Sequence, residues 1–251
     1  MARIHFMNTE IDNYTMDEAV EAIDQLIGQN KNGYVVTPNI DHIVKLETNT
    51  DLQLVYRDAD IILTDGKPMI WISKLYGTPI KEKVSGSDLF PRLCGLAAKK
   101  GYRVFLLGAA EGVAVKAAEN LQKKFPGLII AGTYSPPFGF EKDEEELARI
   151  IDIVTSASPH ILIVGLGCPK QEKFIYKYRD VLHVPVSLGL GASIDFEAGI
   201  LKRAPKFMAD HGFEWLYRVI QDPKRMAKRY FVDDVKILRL VIKYWPKKKN
   251  R

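Results

Sequence analysis

Cysteine is nearly absent from the 251-residue chain, which holds only Cys94 and Cys168. Their spacing does not fit a metal site, and two cysteines cannot build a disulfide framework at this length, so a reducing compartment is expected. Nowhere do about 18 apolar residues run uninterrupted, and even Ile237–Ile242 contains Arg239, which excludes a membrane-spanning helix. The residues from Met1 to Asn8 lead into polar and acidic ones and lack the apolar run of a signal peptide. The chain is therefore expected in the cytoplasm, with any membrane contact peripheral.

Two nucleotide motifs are missing as well. There is no G-x-x-x-x-G-K-[ST] loop, which sets aside a P-loop ATPase. Gly165-Leu166-Gly167 and Gly189-Leu190-Gly191 lack a third glycine, and the strand that follows Gly108 ends in Ala131-Gly132-Thr133 without a ribose-binding acid. A nicotinamide-dependent oxidoreductase would suit the overall pattern but not this missing fingerprint.

What is present suits a folded protein with one substantial core, since 47% of the residues are hydrophobic. The net charge of +5 conceals an uneven distribution. Residues 1–198 carry 21 Lys and Arg against 26 Asp and Glu, a net of −5, whereas residues 199–251 carry 15 against 5, a net of +10. A basic end that is also rich in Trp, Tyr, Phe, Leu and Ile points to an anionic partner, although a solvated basic helix has the same charge. No nucleic-acid motif accompanies it, so nucleic acid is not an expected partner.

Short β-branched runs alternate with helical stretches, the pattern of an α/β fold with a mostly parallel sheet flanked by helices. Met16–Gly28 reads as a helix with Ala19, Ile23, Leu26 and Ile27 on one face, and Tyr34–Thr37 as a strand ending at Pro38-Asn39. A second helix is expected near Asp41, and Ala59–Thr64 is a strand that runs into the turn Asp65-Gly66-Lys67-Pro68. Tyr102–Leu107, the helix through Leu121 and the strand Leu128–Ala131 form a βαβ unit. Further strands are expected at Ile161–Val164 and Val184–Leu188. Three of these strands end in glycine-bearing loops, at Gly108, at Gly165 to Gly167 and at Gly189 to Gly191. Ligands of open α/β sheets bind beyond the carboxyl ends of strands, and glycine lets backbone approach a phosphate, so the three loops together favour a nucleotide. Asp58-Ala59-Asp60 has the D-x-D form of some metal-binding sugar-nucleotide sites, but it precedes a strand and reads better as surface acids.

Several stretches occur in one order: Thr37-Pro38-Asn39 with Asp41-His42, Ala59-Asp60 through Asp65-Gly66, Gly86-Ser87-Asp88-Leu89, and Pro169-Lys170-Gln171-Glu172. They continue with Gly191-Ala192-Ser193-Ile194-Asp195-Phe196, Lys202-Arg203-Ala204-Pro205 and Glu214-Trp215-Leu216-Tyr217-Arg218. This ordered set resembles the WecG/TagA/CpsF family of bacterial glycosyltransferases, over about residues 37–230. The resemblance implies a Rossmann-like fold and an inverting transfer of N-acetylmannosamine, or its uronic acid, from a UDP-sugar donor. The acceptor it implies is a polyprenyl-diphosphate-linked N-acetylglucosamine, in the linkage unit of wall teichoic acid or a related surface polysaccharide. It also implies that no metal or other cofactor is needed.

Carried onto this chain, the resemblance makes Asp65 the candidate general base, although an Asp-Gly pair is also an ordinary turn. Thr37 and Asn39, at the end of the neighbouring strand, are candidates for contacting the sugar. Gln171 opens a helix beside Gly167 and could reach sugar or diphosphate. Gly108, Gly167, Gly189 and Gly191 are candidates for backbone contact with the nucleotide, and Asp195 for its ribose or base. Relatives often carry arginine where this chain has Lys83, which keeps the charge but loses bidentate geometry. Arg203, Arg218, Arg225 and Lys228, with the adjacent Arg229, are candidates to offset charge on the leaving diphosphate. Asp222-Pro223 is a helix start, with Asp as cap and Pro at the first position.

Beyond these, Val235, Leu238, Ile242 and Trp245 recur at helical spacing among Lys236, Arg239, Lys243 and Lys247-Lys248-Lys249. That suits a helix lying on an anionic membrane surface, on the inner face of the cell membrane. A homo-oligomer interface would bury the same stripe. The expected organisation is a catalytic core over residues 1–198 and a helical basic appendage over residues 199–251. Within the appendage, residues from about Lys202 to Arg229 complete the site, and those from Val232 onward anchor it.

Overall fold

A computed structural model describes residues 3–205, 207–208 and 212–246. The terminal Lys247-Lys248-Lys249 and the side chain of Arg225 lie outside what is described.

The chain opens with a hairpin, β1 (Arg3–Phe6) and β2 (Thr9–Asp12), that the sequence pattern does not announce. Helix α1 (Met16–Gln29) follows, started by a capping box in which Thr15 and Glu18 satisfy each other's backbone N–H groups. Then come β3 (Gly33–Val36), α2 (Ile40–Leu46), α3 (Thr50–Arg57), the two-residue β4 (Ile61–Ile62), α4 (Lys67–Leu75) and α5 (Gly86–Lys100). The βαβ unit is β5 (Arg103–Gly108), α6 (Val113–Lys124) and β6 (Ile129–Tyr134). It is followed by α7 (Glu144–Ala157), β7 (Ile161–Gly165), α8 (Lys170–Leu182), β8 (Val186–Gly189) and the short α9 (Ser193–Glu197).

Six strands form one parallel sheet in the order β4-β3-β8-β7-β5-β6. Both faces are covered, which is why the central strands are near-continuous apolar runs. Alternate residues separate into two cores. Val35, Val104, Leu106, Ile161, Ile163 and Leu188 pack with α1, α5 and α6. Tyr34, Val36, Phe105, Leu107, Leu162 and Val164 pack on the other face with α3, α7 and α8.

The predicted strand at Ala59–Thr64 pairs over only two residues. It is an edge strand, and its outer side is occupied by the hairpin: Asp12 accepts the Ile62 N–H at 2.8 Å, and Arg3 donates to Ala59 O at 2.6 Å. Asp58 and Asp60 are part of this framework, Asp58 accepting from Tyr176 at 2.8 Å and Asp60 from the Tyr34 N–H at 2.9 Å.

The basic C-terminal part is helical from Glu214: α10 (Glu214–Gln221), α11 (Pro223–Lys228), a wide turn over Arg229–Asp233 and α12 (Ile237–Lys243). It is docked on the core. Tyr76 donates to Val241 O at 2.9 Å, Tyr244 donates to Glu47 at 3.1 Å, Lys243 pairs with the same carboxylate, and Leu240 is buried in the core. Leu238 and Ile242, on the opposite side of α12, are exposed. Among the described residues, no helix is long and apolar enough to cross a membrane.

At Gly108 (φ 115°) a Cβ would stand 2.5 Å from Gly165 O, whereas at Gly28, exposed in the last turn of α1, it would meet nothing within 4 Å. Gly108→Ala should therefore cost at least about 2 kcal/mol of unfolding free energy. Gly28→Ala should add a few tenths to about 1 kcal/mol. Denaturant unfolding of both variants checks this, and equal effects would contradict the close β5–β7 approach.

Candidate active site

The carboxyl ends of three adjacent strands, β3, β8 and β7, open into a cavity of about 520 Å³. Thr37 and Asn39 line it from β3, Gly167 and Cys168 from β7, and Leu190 to Ser193 from β8. The appendage closes it with Arg218, Met226, Lys228 and Arg229. Its lining is thus backbone-rich on the core side, and on the appendage side it carries the cations Arg218, Lys228 and Arg229, which suit a phosphorylated ligand, along with Asp222 and Asp233.

A second cavity of about 560 Å³ adjoins the first and is mainly apolar, with Pro68, Trp215, Tyr230, Phe231, Val235, Ile237 and Leu238 in its walls. Asn39, Asp65, Arg218 and Arg229 line both cavities. Asp65 therefore stands where the polar space meets the apolar one.

Backbone geometry puts it there. Asp65 follows edge strand β4, and its N–H donates to Pro38 O at 2.8 Å, tying the turn to the end of β3. Gly66, at φ 120°, makes the bend into α4 that a side chain would resist. Among the described residues no group donates a hydrogen bond to the Asp65 carboxylate. Enough protein surrounds it that burial pushes its pKa up to about 6, opposed by Arg218 and Lys83 and reinforced by Glu214 and Asp88. A carboxylate with that value is ionised at neutral pH and still basic enough to take a proton.

The glycine loops are held by one buried side chain. Gln171 Oε1 accepts the Gly191 N–H at 3.0 Å and the Gly167 N–H at 3.2 Å, while its amide donates to Glu172 at 2.7 Å. Its amide thus ties the β7 and β8 loops together, and the residue also lines the polar cavity. Glu172, fully buried, has its pKa pushed up to about 7 by burial.

Asn39 caps α2 and accepts from Arg229 at 3.2 Å. Arg229 also lies 3.8 Å from Asp41 and from Asp234, whose pKa burial pushes up to about 6. Lys45 pairs with Asp41 at 2.7 Å, one helical turn on. Asp41, Lys45 and Asp234, with His42 held neutral by burial at a pKa of about 3, are the part of the site to which the sequence reading gave no role. The i, i+4 spacing of Asp41 and Lys45 just after Thr37-Pro38-Asn39 is the signal that could have found it. Asp41, His42 and Cys168 place their ligand atoms within 4.8 Å of one another, but the Asp41 carboxylate is already engaged by two cations.

Other candidates fall outside the polar cavity. Gly108 packs backbone to backbone on Gly165, one strand beyond it, because β5 lies on the far side of β7. Gly189 faces Gln171, and its carbonyl accepts a long 3.4 Å bond from the buried Thr37 hydroxyl. Asp195 lies on α9, its backbone carbonyl accepting from Ile200 and Leu201. Arg203 is drawn away to Asp88 at 2.6 Å and towards Glu197 at 3.8 Å. Lys83 lines only the apolar of the two cavities, 3.6 Å from both Asp88 and Glu214, whereas Arg218, which lines both, pairs with Glu214 at 2.7 Å across one helical turn.

Comparison with known proteins converges on one family. The model of the "Glycosyl transferase WecG/TagA/CpsF family" matches residues 4–251. A protein of Bacillus spizizenii named N-acetylglucosaminyldiphosphoundecaprenol N-acetyl-beta-D-mannosaminyltransferase is 36% identical over 226 residues, covering 90% of this chain and 84% of the relative. Proteins of the same name from Bacillus subtilis and Staphylococcus aureus are 33% and 28% identical, each over 90% of this chain and over 84% and 88% of the relative.

Arg229 is the cation between Asp41 and Asp234. A carboxyl whose folded pKa is raised loses stability as pH climbs from its unfolded value towards the folded one, and removing the cation raises that value further. The stability gap between Arg229→Met and the wild type should therefore widen by roughly 1–2 kcal/mol from pH 5 to pH 8. Denaturant unfolding at the two pH values measures it, and a gap independent of pH would contradict the arrangement.

Proposed function

The chain belongs to the WecG/TagA/CpsF family of glycosyltransferases, and from that premise we propose that it moves N-acetylmannosamine from a UDP-sugar to a polyprenyl-diphosphate-linked N-acetylglucosamine. The observation that carries this reading is the shared position of Asp65, between a polar cavity suited to a nucleotide sugar and an apolar cavity suited to a lipid-linked acceptor.

The donor lies over the β7 and β8 loops, its diphosphate facing Lys228 and Arg229 from the appendage and Lys45 from α2. The acceptor comes from the apolar side, its first isoprenoid units against Trp215, Phe231 and Leu238. Asp65 takes the proton of the attacking hydroxyl as the new glycosidic bond forms. The bond from the sugar to the diphosphate breaks, and its electron pair leaves on the phosphate oxygen. Fixed cations stabilise the leaving group without having to reorganise, and the reaction inverts the anomeric centre in one displacement without a metal. The product belongs to the linkage unit of wall teichoic acid or a related polymer.

A lipid-linked acceptor requires the enzyme to work at the cytoplasmic face of the membrane. The exposed Leu238, Ile242 and Trp245, alternating with Arg239 and Lys243, support contact of the appendage with anionic lipid.

Asp65→Asn preserves shape and removes the base. It should lower transfer from UDP-N-acetylmannosamine to a short-chain lipid-diphosphate acceptor by about 10²–10⁴-fold, with UDP affinity by calorimetry within about threefold of wild type. Normal turnover by this variant would sink the assignment of the base.

A further inference from the structure

The core presents an apolar stripe of its own beside the appendage. On α4, Trp71 and Leu75 are one helical turn apart and 53% and 57% exposed, while Met69, Ile70 and Ser73 face inward. Surface helices seldom turn two large apolar side chains outward in register unless something covers them.

The place of α4 says what covers it. Tyr76, its C-cap, stacks edge-on with Trp245 at 6.0 Å between ring centres and donates to Val241 O at 2.9 Å. The C-terminal end of α4 is thereby joined to α12, and Lys67 and Pro68, at the start of α4, line the apolar cavity together with Val235 and Leu238. The cavity that ends at Asp65 therefore lies between these two elements.

Charge follows the same line. From Gly66 to Lys81 there are three lysines and no acid, and from Val235 to Arg251 seven basic residues and no acid. Among the described residues, the exposed Lys74 and Arg239 form no ion pair, which leaves them available to anionic headgroups.

The geometry points to α4 as the second half of a lipid-docking face, with Trp71 and Leu75 entering the headgroup boundary of an anionic bilayer together with α12. This rests on the membrane reading above and deepens it: the acceptor's isoprenoid chain passes from the bilayer to Asp65 between a core helix and an appendage helix. The core would then have a fixed orientation on the membrane and not hang from a terminal anchor.

The test uses the full-length protein and sedimentation with phosphatidylcholine vesicles with and without about 30% phosphatidylglycerol. Wild type should bind the anionic vesicles, and Trp71→Ser with Leu75→Ser should bind them at least roughly tenfold more weakly. UDP affinity should stay unchanged, since neither residue lines the polar cavity. Trp71 packs on Gly212 in the wall of the apolar cavity, so Leu75→Ser alone, which leaves that contact in place, should weaken vesicle binding with turnover of a water-soluble short-chain acceptor unchanged. A protein whose only tryptophan is Trp71, made with Trp215→Phe and Trp245→Phe, should show quenching of its emission by brominated lipid. Vesicle binding equal to wild type by the double variant, or a Trp71 that brominated lipid does not quench, would overturn the role of α4. So would a double variant that changes only the oligomeric state in sedimentation velocity, because that marks the face as a contact between copies. Failure of wild type to bind any vesicle would instead remove the membrane reading itself.

Discussion

Holding one ionisable carboxylate between spaces of opposite polarity is costly, and much of the molecule is arranged around that cost. Asp65 has no hydrogen-bond donor of its own among the described residues, and burial raises its pKa. Arg218 and Lys83 keep the ionised form accessible, while Glu214, paired with both, prevents them from neutralising it outright. A tighter ion pair would depress the pKa, and removing the cations would raise it further. The balance needs residues from the β4 turn, the loop before α5 and the appendage, so no one segment forms the site.

The appendage is accordingly part of the body that encloses both cavities. It is attached by Tyr76, Glu47 and Asn39 of the core and gives Arg218, Met226, Lys228 and Arg229 to the polar cavity. Arg229, shared among Asn39, Asp41 and Asp234, links the docking of the appendage to the helix that begins at the end of β3. The core contributes its own rigid element, the clamp of Gln171 and Glu172, which sets the spacing of two glycine loops before any ligand arrives. That is preorganisation of the kind that makes electrostatic catalysis effective.

The sheet was legible because its strands are short, almost wholly apolar and separated by amphipathic helices, and the register of Ala19, Ile23, Leu26 and Ile27 marks α1 directly. The hairpin at residues 3–12 was not, since four-residue strands of mixed polarity give too little periodicity. Asp65, Thr37 and Asn39 could be placed at strand ends by local turn chemistry. Gln171 could be located but not understood, because only burial shows that its amide is used by two loops. Gly108 and Arg203 show a different limit. Strand order in space is not strand order in sequence, so the loop after β5 falls one strand beyond the cavity, and Arg203 answers to Asp88, which is 115 residues away in sequence.

The pH dependence of kcat/KM for transfer to a soluble acceptor tests the central claim about Asp65 most directly, since it reports the essential base in the free enzyme. The rate should fall on the acid side with a midpoint near 6, and the residual activity of Asp65→Asn should lack that limb. A rate unchanged down to pH 5, or the same limb in the variant, would contradict Asp65 as the group that takes the proton.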